Sequence, residues 1–275
     1  MTGRSEWTGR VGESWAREWE RTDRSFRELT SRLIDVAASE PFTRALDIGC
    51  GAGEVSIALS TRFPGCDVVG LDISADLLAV ARERAGAAAN VEFALADAAQ
   101  WTARGSQKPD LLVSRHGVMF FDDPVAAFAH LRGAAADDAR LVFSCFRERA
   151  ENVWARELSR VVASSSAPAD PRAPGPFAFG EKDYVEQVLR QAGWSDVVFA
   201  AIDYPMLAGE GEDAIEQAVS YFLRIGPAAG AIAELEGDER AAAIERLRTM
   251  LAGYHEGGRV ALPAACWIVE ARSGG

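Results

Sequence analysis

A short apolar run that ends in an acid and opens into alternating glycines constrains this chain more than any other feature. It spans residues 45–53, ALDIGCGAG. Glycine lacks a Cβ, so it adopts positive φ readily and lets the backbone come close to a ligand. Residues 54–63 then carry apolar side chains at helical spacing, namely Val55, Ala58, Leu59 and Phe63. The run therefore predicts a buried strand, a ligand-binding turn and a helix N-terminus.

The turn departs from the dinucleotide fingerprint G-x-G-x-x-G. Counted from Gly49, the third glycine falls at position 54, which is Glu54. This disfavours a nicotinamide-dependent oxidoreductase. The pattern D-x-G-x-G-x-G that begins at Asp47 resembles motif I of the class I S-adenosyl-L-methionine (SAM) dependent methyltransferases. In that family the acid before the glycines helps to organise the methionine end of the cofactor, and the resemblance implies this role for Asp47.

Two further acids follow the ends of the next two predicted strands. Asp72 lies 25 residues after Asp47, and Asp97 lies 25 residues after Asp72. A carboxylate accepts two hydrogen bonds from a vicinal diol, which suits Asp72 to a ribose. The resemblance implies that Asp97 receives the adenine amino group. The alternative is that each acid only caps a helix, but we expect Ser74 to be the cap after Asp72.

The resemblance implies SAM as cofactor and S-adenosyl-L-homocysteine as product. The predicted cofactor contacts are Asp47, Gly49, Cys50, Gly51, Gly53, Asp72, Ile73, Leu77, Asp97, Ala98, Ser114 and Trp15.

Alternating strand and helix patterns predict an α/β fold. Strands are expected near 45–49, 67–71, 91–95, 109–114, 139–145, 196–204 and 264–271. We interpret them as a Rossmann-like, doubly wound sheet of seven strands, mostly parallel, with the last strand antiparallel. One overall domain is expected, in four parts. Residues 1–40 form a helical cap, with helices over 13–38, and residues 41–146 form the SAM-binding core. Residues 147–195 form a flexible lid segment, Pro-rich at 163–180, with a helix at 181–192, and residues 196–275 contain the last two strands with a helical insertion. The insertion, over residues 205–260, is either a lid or a dimer surface.

The composition limits the classes of partner and the kinds of site that we expect. The net charge of −12 disfavours nucleic acid, whose binding depends on Lys and Arg at phosphates. The four cysteines are scattered along the chain, and we interpret them as reduced thiols. Neither a membrane-spanning segment nor the apolar core of a signal peptide is evident, so a cytoplasmic protein is expected. We expect a monomer or a homodimer. Three histidines and scattered acids imply no metal site.

Residues 109–124, PDLLVSRHGVMFFDDP, resemble the fourth-strand region of small-molecule methyltransferases related to the ubiquinone and menaquinone biosynthesis group. Residues 175–179 and 262–267 extend the resemblance to nearly the whole chain. One departure is His116, where many relatives have Phe. His116 either acts as a general base for a hydroxyl acceptor or fills an aromatic slot. A base predicts a pH-dependent rate that His116→Phe flattens.

We therefore predict methyl transfer to oxygen or carbon of a small acceptor, such as a secondary metabolite or a quinone-like compound. The alternative is a SAM-binding protein of the same fold with a non-methylating or regulatory role. Arg115 is expected either to hold a substrate carboxylate or to pair with Asp122 or Asp123. The candidate substrate contacts are Arg115, Phe120, Phe146, Trp154, Phe177, Phe179 and His255.

Overall fold

The computed structural model describes residues 4–103, 108–162 and 170–274. Within these ranges one sheet forms the centre of the molecule. Its strands are β1 (Arg44–Ile48), β2 (Asp67–Asp72), β3 (Val91–Leu95), β4 (Leu111–Arg115), β5 (Arg140–Phe146), β6 (Ser195–Glu210), β7 (His255–Glu256) and β8 (Arg259–Arg272).

The strand order is that of a doubly wound α/β sheet. It runs β3-β2-β1-β4-β5-β8-β6, and β1 to β5 are mutually parallel. β8 runs antiparallel to both β5 and β6. The predicted α/β class, with a mostly parallel sheet and an antiparallel last strand, is confirmed. The two-residue β7 pairs with the start of β8 and lies outside the seven-stranded path.

The strand order reverses between β1 and β4, which pair from Ala45↔Leu111 to Asp47↔Val113. In open α/β sheets, ligands bind in the crevice beyond the carboxyl ends of the strands at such a switch point. The glycine turn follows β1, and His116 follows β4. The topology therefore brings these two segments to the same crevice.

Burial explains why the central strands are almost continuously apolar. Parallel strands that helices cover on both faces lose their hydrophobic alternation. Leu46 and Ile48 of β1 and Leu112 and Val113 of β4 are at most 1% exposed. β6 and β8 are longer than predicted, because they pair with each other from Ser195↔Arg272 to Glu210↔Arg259 and continue as a two-stranded ribbon beyond β5.

Helices surround the sheet and form most of what covers its carboxyl edge. They are α1 (Arg4–Trp7), α2 (Arg10–Arg17), α3 (Trp19–Ala37), α4 (Glu54–Arg62), α5 (Ala75–Ala85), α6 (Pro124–Ala134), α7 (Val153–Val161), α8 (Lys182–Gln191), α9 (Ala214–Phe222), α10 (Ala229–Ala233) and α11 (Gly237–Ala252). A 3₁₀ turn spans Val118–Phe120. No helix in the described ranges is long and apolar enough to cross a bilayer.

The described part of the segment between β5 and β6 contains two helices. α8 occupies the predicted position, and α7 lies within the part that was expected to be a flexible lid segment. The Asn152 side chain fixes the start of α7, because it donates to the Ala265 carbonyl (3.1 Å), accepts from the Ala265 amide (2.9 Å) and accepts from the Trp154 indole (3.0 Å). Residues 163–169 of the predicted Pro-rich connection lie outside the described residues.

The helical insertion before β7 packs against the N-terminal helices. Arg24 of α3 donates to the Gln217 carboxamide of α9 at 2.7 Å, and Arg21 donates to the Ser220 hydroxyl at 3.0 Å. Glu18, at the break between α2 and α3, is 5% exposed and pairs with Arg224 just after α9. These contacts hold α9 and the turn after it against the N-terminal helices, where both line the crevice.

Candidate functional site

The glycine turn has the backbone geometry that its composition predicts. Gly49, Gly51 and Gly53 have φ of 66°, 55° and 84°. A Cβ on Gly49 would lie 2.9 Å from Gly117 Cα, so the turns after β1 and β4 touch backbone to backbone. A Cβ on Gly51 would meet no protein atom within 4 Å and would enter the crevice instead. The turn is therefore a cradle that a side chain at Gly51 would fill.

Two other residues of the turn, Gly53 and Cys50, contact neighbouring parts of the protein. Gly53 is the N-cap of α4, and a Cβ there would lie 2.9 Å from the Phe93 ring. Gly53 does not line the crevice, so its predicted cofactor contact has no counterpart in the structure. Cys50 does line the crevice, and its amide donates to the Leu71 carbonyl of β2 at 2.9 Å.

Asp47 is buried at the floor of the crevice with half of its carboxylate unsatisfied. It is 1% exposed, and Oδ2 accepts a 2.6 Å hydrogen bond from the Ser56 hydroxyl. Oδ1 has no hydrogen-bond partner among the described residues. Burial raises the pKa of Asp47 to about 6. A buried carboxylate in this state favours a cationic partner such as an ammonium group.

Asp72 both holds the cradle and faces the ligand space. Its two oxygens accept hydrogen bonds from the Gly51 amide and the Ser74 amide, each at 2.8 Å. Ser74 caps α5 through the Leu77 amide, as predicted. Burial raises the pKa of Asp72, and the backbone hydrogen bonds oppose the rise. Each carboxylate oxygen has a second lone pair, so Asp72 retains the capacity to accept from a diol.

Asp97 completes a row of three acids beyond β1, β2 and β3. It accepts from the Ala99 amide at 2.9 Å and from the Gln100 carboxamide at 3.2 Å. Asp97 and Ala98 line the same crevice, together with Ile73 and Leu77. The predicted methionine, ribose and adenine acids therefore face one continuous space, which fits an extended nucleoside-type cofactor.

The crevice is a cavity of about 990 Å³, at the upper end of the range for small-molecule sites. α2 forms one wall and approaches the ribose side closely, since a Cβ on Gly12 would lie 2.5 Å from the Ser74 hydroxyl. Trp15 lines the cavity and contacts Trp7 at a ring-centroid distance of 5.5 Å. The Phe120 ring also contacts Trp7, at a centroid distance of 5.1 Å. Phe120 therefore lies beside the tryptophans of the N-terminal helices and apart from Phe146, Trp154 and Phe177.

Ser114 has a structural position. Its side chain is fully buried, donates to the Ile48 carbonyl at 2.7 Å and accepts from the Gly117 amide at 3.1 Å. These bonds lock the end of β4 to the end of β1. Ser114 does not line the cavity, so its predicted cofactor contact is indirect.

Arg115 pairs with acids other than the ones expected. Its guanidinium forms ion pairs with Glu54 of α4 and Asp23 of α3 and donates to the Thr30 hydroxyl. The predicted pairing with Asp122 or Asp123 is wrong, because the β4 end directs the side chain toward α3 rather than along its own loop. With two acids bound, Arg115 is poorly placed to hold a substrate carboxylate.

His116 occupies an aromatic slot. It has φ of 61°, and its ring stacks on Phe146 at 4.2 Å and 12° and lies 5.2 Å from Phe26. Nε2 lies 3.8 Å from Cys266 Sγ, and Nδ1 has no partner among the described residues. Burial, with the Arg115 charge as a smaller cause, lowers the pKa of His116 to about 3. The imidazole is therefore neutral at physiological pH and a weak base, which favours the slot over the general base.

An aromatic wall, which we define as Phe146, Trp154 and Phe177, closes the end of the cavity beyond His116. Phe146 lies 5.1 Å from Trp154 and 5.7 Å from Phe177, and Trp154 stacks on Phe177 at 5.8 Å. Arg149 also lines this end, 5.7 Å above the Phe177 ring. It is hydrogen-bonded to the Ser159 hydroxyl, and no described carboxylate lies within ion-pair distance of it.

Two candidate substrate contacts lie elsewhere. Phe179 is 2% exposed and packs between Phe128, Phe143 and Tyr184 beneath the sheet edge, so it belongs to the core. His255 is exposed on β7, where the hairpin turns it away from the cavity. The expectation that these residues contact the acceptor does not agree with their positions.

Sequence reasoning missed several residues that line the cavity. Asp23 and Phe26 come from α3, Met206 from the β6 ribbon, and Tyr221 and Phe222 from α9. Helical periodicity identifies α3 and α9 but not which of their faces meets the crevice, so no local signal marked them.

Comparisons with known proteins agree with this geometry. Residues 45–138 match a family described as a methyltransferase domain. A trans-aconitate 2-methyltransferase from Paracidovorax citrulli is 32% identical over 191 residues, which cover 69% of this chain and 70% of that protein.

Solved structures share the fold. The YcgJ protein from Bacillus subtilis has a TM-score of 0.60 and 15% identity, over 90% of this chain and 99% of that one. A phosphoethanolamine N-methyltransferase 2 from Haemonchus contortus, in complex with S-adenosyl-L-methionine, has a TM-score of 0.56 and 14% identity, over 95% of this chain and 57% of that one.

Proposed function

Because this chain belongs to the class I SAM-dependent methyltransferases, we propose that it methylates an oxygen of a small, planar, acidic acceptor. When bound, SAM supplies an electrophilic methyl group on a sulfonium. We assign Asp47 to the cofactor ammonium, Asp72 to the ribose hydroxyls and Asp97 to the adenine. The carboxylate with the unsatisfied Oδ1 and the cradle at Gly51 support this assignment.

The observation that carries the acceptor proposal is the aromatic wall with Arg149 above it. Three aromatic rings within 6 Å of one another favour a flat, unsaturated acceptor over a bulky saturated one. A guanidinium beside such a wall suits a carboxylate or another anionic oxygen on the same acceptor. The net charge of −12 favours a small molecule over a nucleic acid.

The low basicity of His116 limits which acceptor groups can act as the nucleophile. With a pKa of about 3, its imidazole is too weakly basic to take a proton from an alcohol efficiently at neutral pH. A carboxylate, an enolate or an acidic phenol reaches the site already ionised and needs no base. Alignment of the two reactants then supplies most of the rate enhancement, a contribution that reaches ~7–11 kcal/mol in favourable cases.

Two acceptor types satisfy this chemistry. The relative from Paracidovorax citrulli is named for trans-aconitate, an unsaturated tricarboxylate, and Arg149 favours such a carboxylate. A quinone-like compound with an acidic hydroxyl uses the same wall without needing Arg149. We favour O-methylation, because a carboxylate or an acidic hydroxyl presents an ionised oxygen to which the Arg149 guanidinium is suited.

The test is transfer of a labelled methyl group from SAM by the purified protein. The acceptors are trans-aconitate, its saturated analogue tricarballylate, and a 2-hydroxy-1,4-quinone, whose hydroxyl is acidic. We expect label on trans-aconitate or the hydroxyquinone and much less on tricarballylate, because the saturated chain does not lie flat against the rings. Equal transfer to tricarballylate and trans-aconitate would contradict the role of the wall. Tight SAM binding without transfer to any acceptor would favour a non-methylating role.

A further inference from the structure

Asp23 of α3 lies at the centre of a partly buried charge cluster that no sequence motif marks. Its side chain is 15% exposed and lines the cavity. Oδ2 pairs with Arg84 of α5 at 2.6 Å, and Oδ1 pairs with Arg115 of β4 at 3.4 Å. Each carboxylate oxygen therefore binds a different arginine from a different element.

Both arginines also contact the glycine turn or the helix that follows it. Arg84 donates to the Ala52 carbonyl at 2.6 Å and lies 3.9 Å above the Trp19 ring. Arg115 pairs with Glu54, the first residue of α4. Asp23 thus joins the N-terminal helices to the cradle from both sides, and the cradle is held by contacts outside its own loop.

The cluster is balanced in charge. Arg84, Arg115, Asp23 and Glu54 carry two positive and two negative charges, and their side chains are 15–20% exposed. At this burial, solvent screens a charge only partly. Loss of either acid leaves one uncompensated positive charge beside the cavity.

The position along α3 tells which part of the cavity this charge faces. Trp19, Asp23 and Phe26 succeed one another on one face of the helix, at i, i+4 and i+7. Trp19 lies against Arg84 near the cradle, whereas Phe26 lies 5.2 Å from His116 near the aromatic wall. Asp23 lies between them along the helix and lines the same cavity as the cradle and the aromatic wall.

We propose that Asp23 is a positioning residue whose charge makes the enzyme prefer SAM to its product. SAM carries a positive sulfonium, and S-adenosyl-L-homocysteine carries a neutral thioether at the same atom. The Asp23 carboxylate cancels arginine charge that would otherwise repel the charged sulfur, whereas the neutral sulfur of the product is little affected by that charge. The inference rests on SAM as cofactor and is independent of the proposed acceptor.

The test compares the dissociation constants of SAM and S-adenosyl-L-homocysteine by calorimetry, without any acceptor. For Asp23→Asn, we expect SAM affinity to fall about tenfold relative to that of the product, from Coulomb repulsion by the uncompensated arginine charge in a partly buried site. The Asn oxygen still accepts from one arginine, whereas its amide nitrogen cannot accept from the other. Asp23→Glu restores the charge and is expected to restore the preference.

Two further variants separate electrostatics from folding. Glu54→Gln removes the charge of the other acid, on α4, and keeps an amide oxygen that can accept from the Thr30 hydroxyl of α3. We expect the same shift in preference. Asp35→Asn is the matched control, because Asp35 lies on α3, pairs with Arg62 at 2.7 Å and is 61% exposed outside the cavity. It should leave both affinities unchanged. Equal losses for SAM and product in both Asp23→Asn and Glu54→Gln, or no change in either, would overturn the proposal.

Discussion

Replacement of Asp47 by Asn should stabilise the ligand-free protein while it weakens cofactor binding. Asp47 is 1% exposed, and burial raises its pKa from 3.8 to about 6. The folded protein therefore holds this proton more tightly than the unfolded chain does. The stabilising contribution of the protonated carboxyl is fully present below the unfolded pKa of 3.8 and is lost as the pH rises through 6.

The size of the effect follows from the shift of about two pKa units. At 1.36 kcal/mol per unit, the ionised carboxylate costs the folded state about 3 kcal/mol above pH 7. Asn is neutral at every pH and still accepts from the Ser56 hydroxyl. We expect Asp47→Asn to exceed the wild type in free energy of unfolding by about 3 kcal/mol at pH 8 and by about half of that at pH 5.

Urea unfolding of the ligand-free proteins at pH 5 and pH 8, followed by circular dichroism, measures this difference. Asp67→Asn is the control, since Asp67 is exposed at the start of β2 and its loss changes the net charge equally. The same variant should lose SAM affinity, because the cofactor ammonium then lacks a counter-charge. The reasoning fails if Asp47→Asn gives the same stability difference at both pH values, or is less stable than the wild type at pH 8.

Four further predictions follow from the site. Wild-type SAM affinity should fall as the pH drops below about 6, because Asp47 becomes protonated, and calorimetry across pH 5–8 would show it. Gly51→Ala should weaken SAM binding at least tenfold with a stability cost of only ~1–2 kcal/mol for positive φ, whereas Gly133→Ala on exposed α6 should leave binding unchanged. His116→Phe should keep kcat within a few-fold, and the wild-type pH–rate profile should show no His116 inflection between pH 6 and 9; an inflection lost in the variant would restore the general base. Arg149→Met should lower kcat/KM for carboxylate acceptors about tenfold or more, through loss of a charge-assisted contact, while Arg156→Met on the outer face of α7 should not.

The sequence predicts those parts of the site that lie within one strand–turn–helix unit. The glycine turn and the three acids at 47, 72 and 97 follow chain-local patterns, and all of them meet at the edge of the sheet. In parallel α/β sheets the carboxyl ends share one edge, so local order along the chain already determines this proximity.

Residues brought together by helix packing could not be predicted in the same way. Arg115 was expected either to hold a substrate carboxylate or to pair with Asp122 or Asp123, but its partners Asp23 and Glu54 lie on α3 and α4. Phe177 and Phe179 were both expected to contact the substrate, yet Phe177 lines the cavity and Phe179 stacks on Phe128 in the core. Periodicity gives the apolar face of a helix but not its rotation over the crevice.

The most direct test of the account is the fate of the methyl group itself. Purified protein is incubated with methyl-labelled SAM and a cell extract, and the label is followed by mass spectrometry in the low-mass and macromolecular fractions. The account predicts label in a small, planar, acidic compound, as a methyl ester or methyl ether, and its loss with Asp47→Asn. Label in protein or nucleic acid, or SAM binding with no transfer to any fraction, would contradict it.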